Sequence, residues 1–275
     1  MKRIVEIMKT YLSYVMVMIT PNRIPNLIEY ISIRAALFIV ITYFWSQSTS
    51  SFFPSIQKII AAYGPLIRED KLLVEFWTSA KLFFHCFTLV IGIGAAFSYL
   101  SVIPMVSPIA SLLARFRAIS LVGVQLLFTV IMPDGYNLKV AIIVFCTAPW
   151  LITSMLSIIR SIPQEKYDHA RSLRFPEWKV TWHVVIRARF AQVIDAVSQV
   201  SLMVIVLLPV AEKIVRSGGG IGYLLTGLER FHTNDRIWAI NILIMVSAIC
   251  LEYFFSFLRG WWCDYAVRIE NGGRE

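Results

Sequence analysis

Long apolar runs separated by short charged segments dominate the chain. A bilayer core of about 30 Å needs about 20 mostly apolar helical residues. Six stretches meet or approach that requirement: Asn26–Trp45, Leu82–Ile103, Ala118–Met132, Val140–Ile159, Phe190–Ala211 and Ile237–Leu258. The third is short, bounded by Arg117 and by Pro133-Asp134-Gly135. The runs lack the alternating polarity of a barrel strand, so helices are the reading that satisfies the backbone in lipid. Near the N-terminus, Ile4, Val5, Ile7, Met8, Tyr11, Leu12 and Val15 recur at helical spacing. Lys2 and Arg3 before Tyr11–Ile19 look like a signal peptide, but Thr20-Pro21-Asn22-Arg23 is a poor cleavage site. An uncleaved amphipathic helix at the interface is predicted, with Lys2, Arg3 and Lys9 on anionic lipid.

These patterns predict an all-α integral membrane protein in five parts. Residues 1–25 form the interfacial segment, and 26–46 the first transmembrane helix. Residues 47–81 form an extracytoplasmic amphipathic connector, 82–258 a five-helix core, and 259–275 a tail.

Composition agrees. Of 275 residues, 57% are hydrophobic and only 16% charged, with a mean hydropathy of +0.68. A soluble domain carries about 25% charged residues. Disorder, collagen and a disulfide-stapled module are excluded. The net charge of +9 reads as basic loops and anionic lipid, with no need for nucleic acid. Seventeen of the 26 basic residues fall in 1–34, 104–117, 160–190 and the tail. The positive-inside rule therefore puts both termini and the 160–190 loop in the cytoplasm, with 47–81 and 212–236 outside. Cys86, Cys146, Cys250 and Cys263 are far apart and suggest neither a metal site nor a disulfide framework.

The most informative loop is 161–189, which reads SIPQEKYDHARSLRFPEWKVTWHVVIRAR. Pro163 suits a first helical turn, and Ser161 is placed to cap it. Glu165, Asp168, His169, Arg171 and Ser172 make a short polar helix, broken near Phe175-Pro176. Trp178, Val180 and Trp182 add apolar weight beyond the break. On physical grounds this is either a solvated loop or a helix-turn-helix that docks a soluble partner.

The loop resembles the coupling loop of binding-protein-dependent ABC importer permeases. Their pattern is Glu-Ala-Ala, three residues, Gly, then a spacer ending in Ile-x-Leu-Pro. Asp168-His169-Ala170-Arg171-Ser172-Leu173-Arg174 occupies the first part and Val184-Val185-Ile186-Arg187-Ala188 the end. The resemblance extends from about Phe53 to Trp262. Phe53-Pro54-Ser55 matches a Leu-Pro-Ser-Pro start. Ser217 to Leu224 resembles the glycine-rich Gly-Ile-Gly-Tyr-Leu segment after the fifth span. Thr233-Asn234-Asp235 follows as in the nitrate/sulfonate/taurine branch. The departures are Asp168 for Glu, His169 for Ala, Arg174 for Gly and Arg187-Ala188 for Leu-Pro. Where the family glycine takes a positive φ, Arg174 implies a different turn or a differently shaped partner surface.

The resemblance implies a permease of the bacterial inner membrane that carries a small solute, such as an organic or inorganic anion, inward by alternating access. The implied partners are a second permease subunit, alike or different, two cytoplasmic ATPase subunits and an extracytoplasmic solute-binding protein. ATP and Mg would belong to the ATPases, and this chain would catalyse nothing itself. Pro163 to Arg174 would seat on the ATPase, with Asp168 and Arg171 making polar contacts and Ala170 and Leu173 packing. Gly218, Gly219, Gly220, Ile221 and Gly222 would form a flexible outward-facing loop beneath the binding protein.

Other residues are candidates on chemistry alone. The chain has no GxxxxGK[ST] phosphate loop. Asp195 and Glu252 lie inside spans, where charge is costly. Asp195 is placed to reach water at the cytoplasmic end or to pair with Arg187 or Arg189, and Glu252 to pair with Arg259. Gln125, Gln199 and Asn241 suit a polar path or interhelical hydrogen bonds. His85 reads as a satisfied interhelical histidine. Three competing functions remain: an ion-driven secondary transporter, a scaffold recruiting an ATPase, and a membrane enzyme. The four histidines do not cluster as the last would require.

Overall fold

A computed structural model describes residues 27–47, 54–132, 134–215 and 217–262. The predicted interfacial segment 1–25, and the tail beyond Trp262, lie outside the described residues. The chain divides into two compact units, residues 1–58 and 59–275.

In the first unit, α1 covers Leu27–Gln47. Trp45 Nε1 donates to the Pro54 carbonyl at 3.0 Å. Helix α2, Ile56–Arg68, begins here and continues into the second unit.

The second unit is helical wherever it is regular. Its order is α3 (Leu72–Leu100), α4 (Ser107–Arg115), a 3₁₀ turn (Phe116–Ala118), α5 (Leu121–Ile131) and α6 (Gly135–Arg160). Then come α7 (Gln164–Ser172), α8 (Glu177–Val180), α9 (Phe190–Ile214), α10 (Ile221–Arg230) and α11 (Asn234–Trp262). Among the described residues, α3, α6, α9 and α11 are long and apolar enough to cross a membrane. The bent pair Ser107–Ala118 and Leu121–Ile131 makes a fifth if taken as one span. This is a multi-pass membrane architecture.

The core lies between α3, α6 and α9. Cys86, Val90, Ile143, Leu151 and Val204 are fully buried. By contrast, Met245, Ile249, Tyr253 and Phe257 on α11 are exposed, which suits a lipid-facing surface. Polar contacts define two ends of this bundle. The starts of α3 and α6 meet the loop after α9. At the other end, Asp195 near the start of α9 pairs with Arg259 near the end of α11, at 3.4 Å.

Two boundaries differ from the sequence reading. Residues 72–81, expected in the connector, form the first turns of α3. Their charges do not end the helix because they are engaged. Glu75 accepts from the Gly220 amide, and the Lys81 ammonium sits 5.9 Å from the Trp77 ring centroid. Residues 104–117, expected as a cytoplasmic loop, are largely helical. Helix α4 lies along α6, with Ala110 buried among Ile152 and Leu156 and Thr153 Oγ1 at 3.4 Å from the Ala114 carbonyl. Extended backbone at Ile119 and Ser120 then turns the chain through 107° into α5. The third apolar run is therefore an 11-residue helix from Leu121 preceded by an oblique one.

Close approach of α3 to α6 depends on Gly94. A Cβ there would lie 2.5 Å from Leu151 Cδ2. Gly94→Val should cost about 1–3 kcal/mol, as overpacking does in tight cores. Gly92→Ala, whose Cβ meets nothing within 4 Å, should leave stability near the wild type. Thermal unfolding of both variants in detergent checks this.

Candidate functional site

Two places gather polar chemistry, one at each end of the bundle. The first is the glycine-rich loop. The four leading N–H groups of any helix lack internal partners, and where they are buried they cannot rely on water. Helix α10 meets this need with side chains from α3 and α9. The Gly220 amide donates to Glu75. The Ile221 amide donates to Ser79 Oγ at 2.8 Å, and the Gly222 amide to Glu212 Oε2 at 2.8 Å. Ser79 in turn donates to Glu212 Oε1 at 2.7 Å. Lys139, at the start of α6, donates to the Gly219 carbonyl at 2.9 Å. Glu212 is fully buried, and Ser79 and Lys139 are each 3% exposed.

Glycine is required where the loop enters this arrangement. Gly220 has φ +116°, a backbone only glycine adopts readily, and a side chain there would strike the Glu212 carboxylate. Negative groups at a helix N-terminus also gain from its dipole. The loop read as flexible is therefore pinned: Gly219, Gly220, Ile221 and Gly222 all engage side chains from other helices, whereas a Cβ on Gly218 would meet open space. Glu75, Ser79, Lys139 and Glu212 are not among the sequence-predicted site residues. Charges at the very ends of apolar runs, facing a glycine loop, were the available signal.

Nearby contacts brace the same end. Arg236 reaches Asp70 at 2.8 Å and Glu69 at 3.0 Å, tying α11 to the α2–α3 turn. Lys213 pairs with Glu229 at 2.7 Å. The Tyr63 hydroxyl donates to the Ala239 carbonyl at 2.8 Å, and burial raises its pKa.

The second place is the helix–turn–helix between α6 and α9. Helix α7 starts at Gln164 with Pro163 as its N-terminal flank. Ser161 does not cap it, because its hydroxyl donates back to Ile158 at 2.8 Å. Arg171 holds the turn closed, with Nε 2.9 Å from Glu177 and Nη1 3.5 Å from Asp168. That hydrogen bond to Glu177 raises the Arg171 pKa further. Both side chains are exposed, so solvent screens the pair and it adds little stability. Burial raises the Tyr167 pKa against the lowering effect of Arg189 and Arg171.

At the turn itself, Arg174 has φ +56°. An arginine thus makes the left-handed turn for which glycine is favoured, so the first of the two alternatives, a different turn, does not hold. Past the break, Phe175 packs on His183, ring centroids 5.7 Å apart, and Lys179 stands 4.9 Å from the Phe175 centroid. The chain then widens into a π-helical segment, Thr181–Arg187, with Ala188 N–H bonded to the His183 carbonyl. Such segments are often found at functional sites.

The individual site residues divide. Glu165, Asp168, His169, Ser172 and Leu173 are exposed. Ala170 is buried in its own chain, so it cannot pack on a partner as the resemblance implied. Val180 is buried, while Trp178 is 71% and Trp182 57% exposed. Asp195 pairs with Arg259, the arginine expected for Glu252. Glu252 itself is exposed. Gln199 and Asp195 line one polar cavity of about 570 Å³ with Thr153, Ser157 and Gln192. Asn241 is exposed and Gln125 half-buried, and neither lines that space. His85 Nδ1 lies 2.8 Å from the Tyr136 hydroxyl, an interhelical bond. Among the described residues no group of His, Cys, Asp or Glu could hold a metal ion.

No protein-family model matches the chain, and no curated protein matches it. Six chains of solved structures do. One belongs to the crystal structure of an amino acid ABC transporter with histidines. It aligns with a TM-score of 0.55 over 74% of this chain and 95% of that chain, at 16% sequence identity. The two chains share a helical membrane fold. The nitrate/sulfonate/taurine branch receives no support from this match.

Removing the Glu212 carboxylate strands buried donors, each costing about 1–3 kcal/mol. Glu212→Ala should lower the unfolding temperature in detergent. Glu212→Gln, which keeps one acceptor, should lower it less. Equal stability of Glu212→Ala and wild type would show that the carboxylate does not hold the loop.

Proposed function

We propose that the chain is the membrane-spanning subunit of an ATP-driven importer of the ABC class. It carries a small solute, an organic or inorganic anion, into the cytoplasm by alternating access. The observation that carries this reading is the short helix–turn–helix between α6 and α9, on a bundle whose fold matches a chain of an ABC transporter. Its Arg171–Glu177 pair links α7 to α8. Leu173, Trp178 and Trp182 stay exposed beside Glu165, Asp168 and His169. A mixed apolar and charged surface of this kind suits recognition of a soluble protein.

In this reading the partners are a second permease subunit, two cytoplasmic ATPase subunits and an extracytoplasmic solute-binding protein. ATP and Mg belong to the ATPases. The helix–turn–helix, together with both termini, faces the cytoplasm of a bacterial inner membrane. The glycine-loop end faces the binding protein. ATP-driven closure of the ATPase pair is transmitted through α7 to the start of α9. The polar cavity lined by Asp195 and Gln199 lies just above it.

Co-expression with a candidate ATPase subunit of the same organism tests the assignment. The two should co-purify. Leu173→Asp combined with Trp178→Ala should reduce the recovered ATPase at least about tenfold, a change of ~1.4 kcal/mol in binding, without lowering the unfolding temperature. Unchanged association of that double variant would overturn the docking assignment.

A further inference from the structure

Three arginines converge on one cavity that nothing above uses. Arg115, Arg117 and Arg160 line a space of about 690 Å³ between α4 and α6, together with Ser111, Ser157 and Thr153. No carboxylate lines it. Arg160 Nη2 donates to Ser111 Oγ at 2.9 Å, a neutral partner. Arg117 lies over the Trp150 ring, 5.4 Å from its centroid. Among the described residues none of the three forms an ion pair with Asp or Glu. The acid in the adjoining cavity, Asp195, is engaged by Arg259.

All three side chains are exposed, so an anion can reach each of them. Trp150 sits inside α6, roughly 15 Å along the axis from Arg160 at about 1.5 Å per residue, and Arg117 lies beside it. Three like charges around one space repel one another, and a bound anion relieves that repulsion. The Ser157 hydroxyl lies on the same wall, whereas those of Ser111 and Thr153 donate to the Ser107 and Pro149 carbonyls. Guanidinium forks match the planar or tetrahedral oxygens of carboxylate, sulfonate, sulfate or phosphate.

We infer that Arg115, Arg117 and Arg160 form an anion-binding cleft that holds one oxyanion between α4 and α6. The oxyanion is either a small soluble one or the phosphate of an anionic lipid. The inference needs only the cleft and stands whether or not the chain is driven by an ATPase.

The full chain in nanodiscs of phosphatidylcholine provides the test. One arm titrates sulfate and phosphate against chloride at constant ionic strength and reads the unfolding temperature. The other adds phosphatidylglycerol and counts retained lipids by native mass spectrometry. Sulfate or phosphate should raise the unfolding temperature of the wild type, with no rise in the triple variant R115Q/R117Q/R160Q. That result identifies a soluble oxyanion. Retention of phosphatidylglycerol by the wild type alone identifies a lipid headgroup. Arg115→Gln, a milder change, should weaken whichever response is seen about tenfold, and Arg68→Gln, at the opposite end, should not alter it. No response to any anion in the wild type, or an equal response in the variants, would overturn the inference.

Discussion

Backbone N–H groups at the start of a helix must find acceptors, and where they are buried from water they must find them in the protein. The Glu212 carboxylate answers that demand for α10. It accepts from Gly222 and Ser79 while Glu75 takes Gly220. This one constraint links α3, α9 and α10 and explains why Gly220 carries a positive φ. It also explains why a lysine is tolerated in a buried position: Lys139 binds the carbonyl of the same loop and faces two acids. The cost of burying these charges is met by mutual satisfaction, the condition under which buried polar networks persist.

The opposite end is built on different terms. The helix–turn–helix is closed by an exposed ion pair and by packing of Phe175 on His183, interactions that are individually weak. Little of it is buried beyond Ala170, Val180 and Val185. One end of the bundle is thus cross-braced internally, and the other leaves charged and aromatic groups available. That asymmetry suits the proposed docking of a soluble partner at the helix–turn–helix end.

The sequence made the apolar architecture readable, because helical spans follow from length and hydropathy alone. The polar break in 161–189 and its resumption after Pro176 were equally plain from Pro163, Phe175 and Pro176. Three things escaped it. Helix α3 starts at Leu72 because Glu75 has a partner distant in sequence, which no local pattern records. Arg115 and Arg117 looked like loop charges because their positions beside α6 depend on the bend at Ile119-Ser120. Ala170 looked like a docking residue because family position says nothing about which face its own chain covers. Each miss concerns a tertiary contact, and each falls on a charged or small residue whose surroundings decide its role.

The central claim is that ATP hydrolysis by a docked partner drives solute through this bundle. Uptake into proteoliposomes containing the chain with a candidate ATPase subunit and a candidate solute-binding protein tests it most directly. The account predicts uptake that requires ATP inside the docking compartment and survives ionophores that collapse ion gradients. Uptake that stops with the ion gradient, or proceeds without ATP, would contradict it.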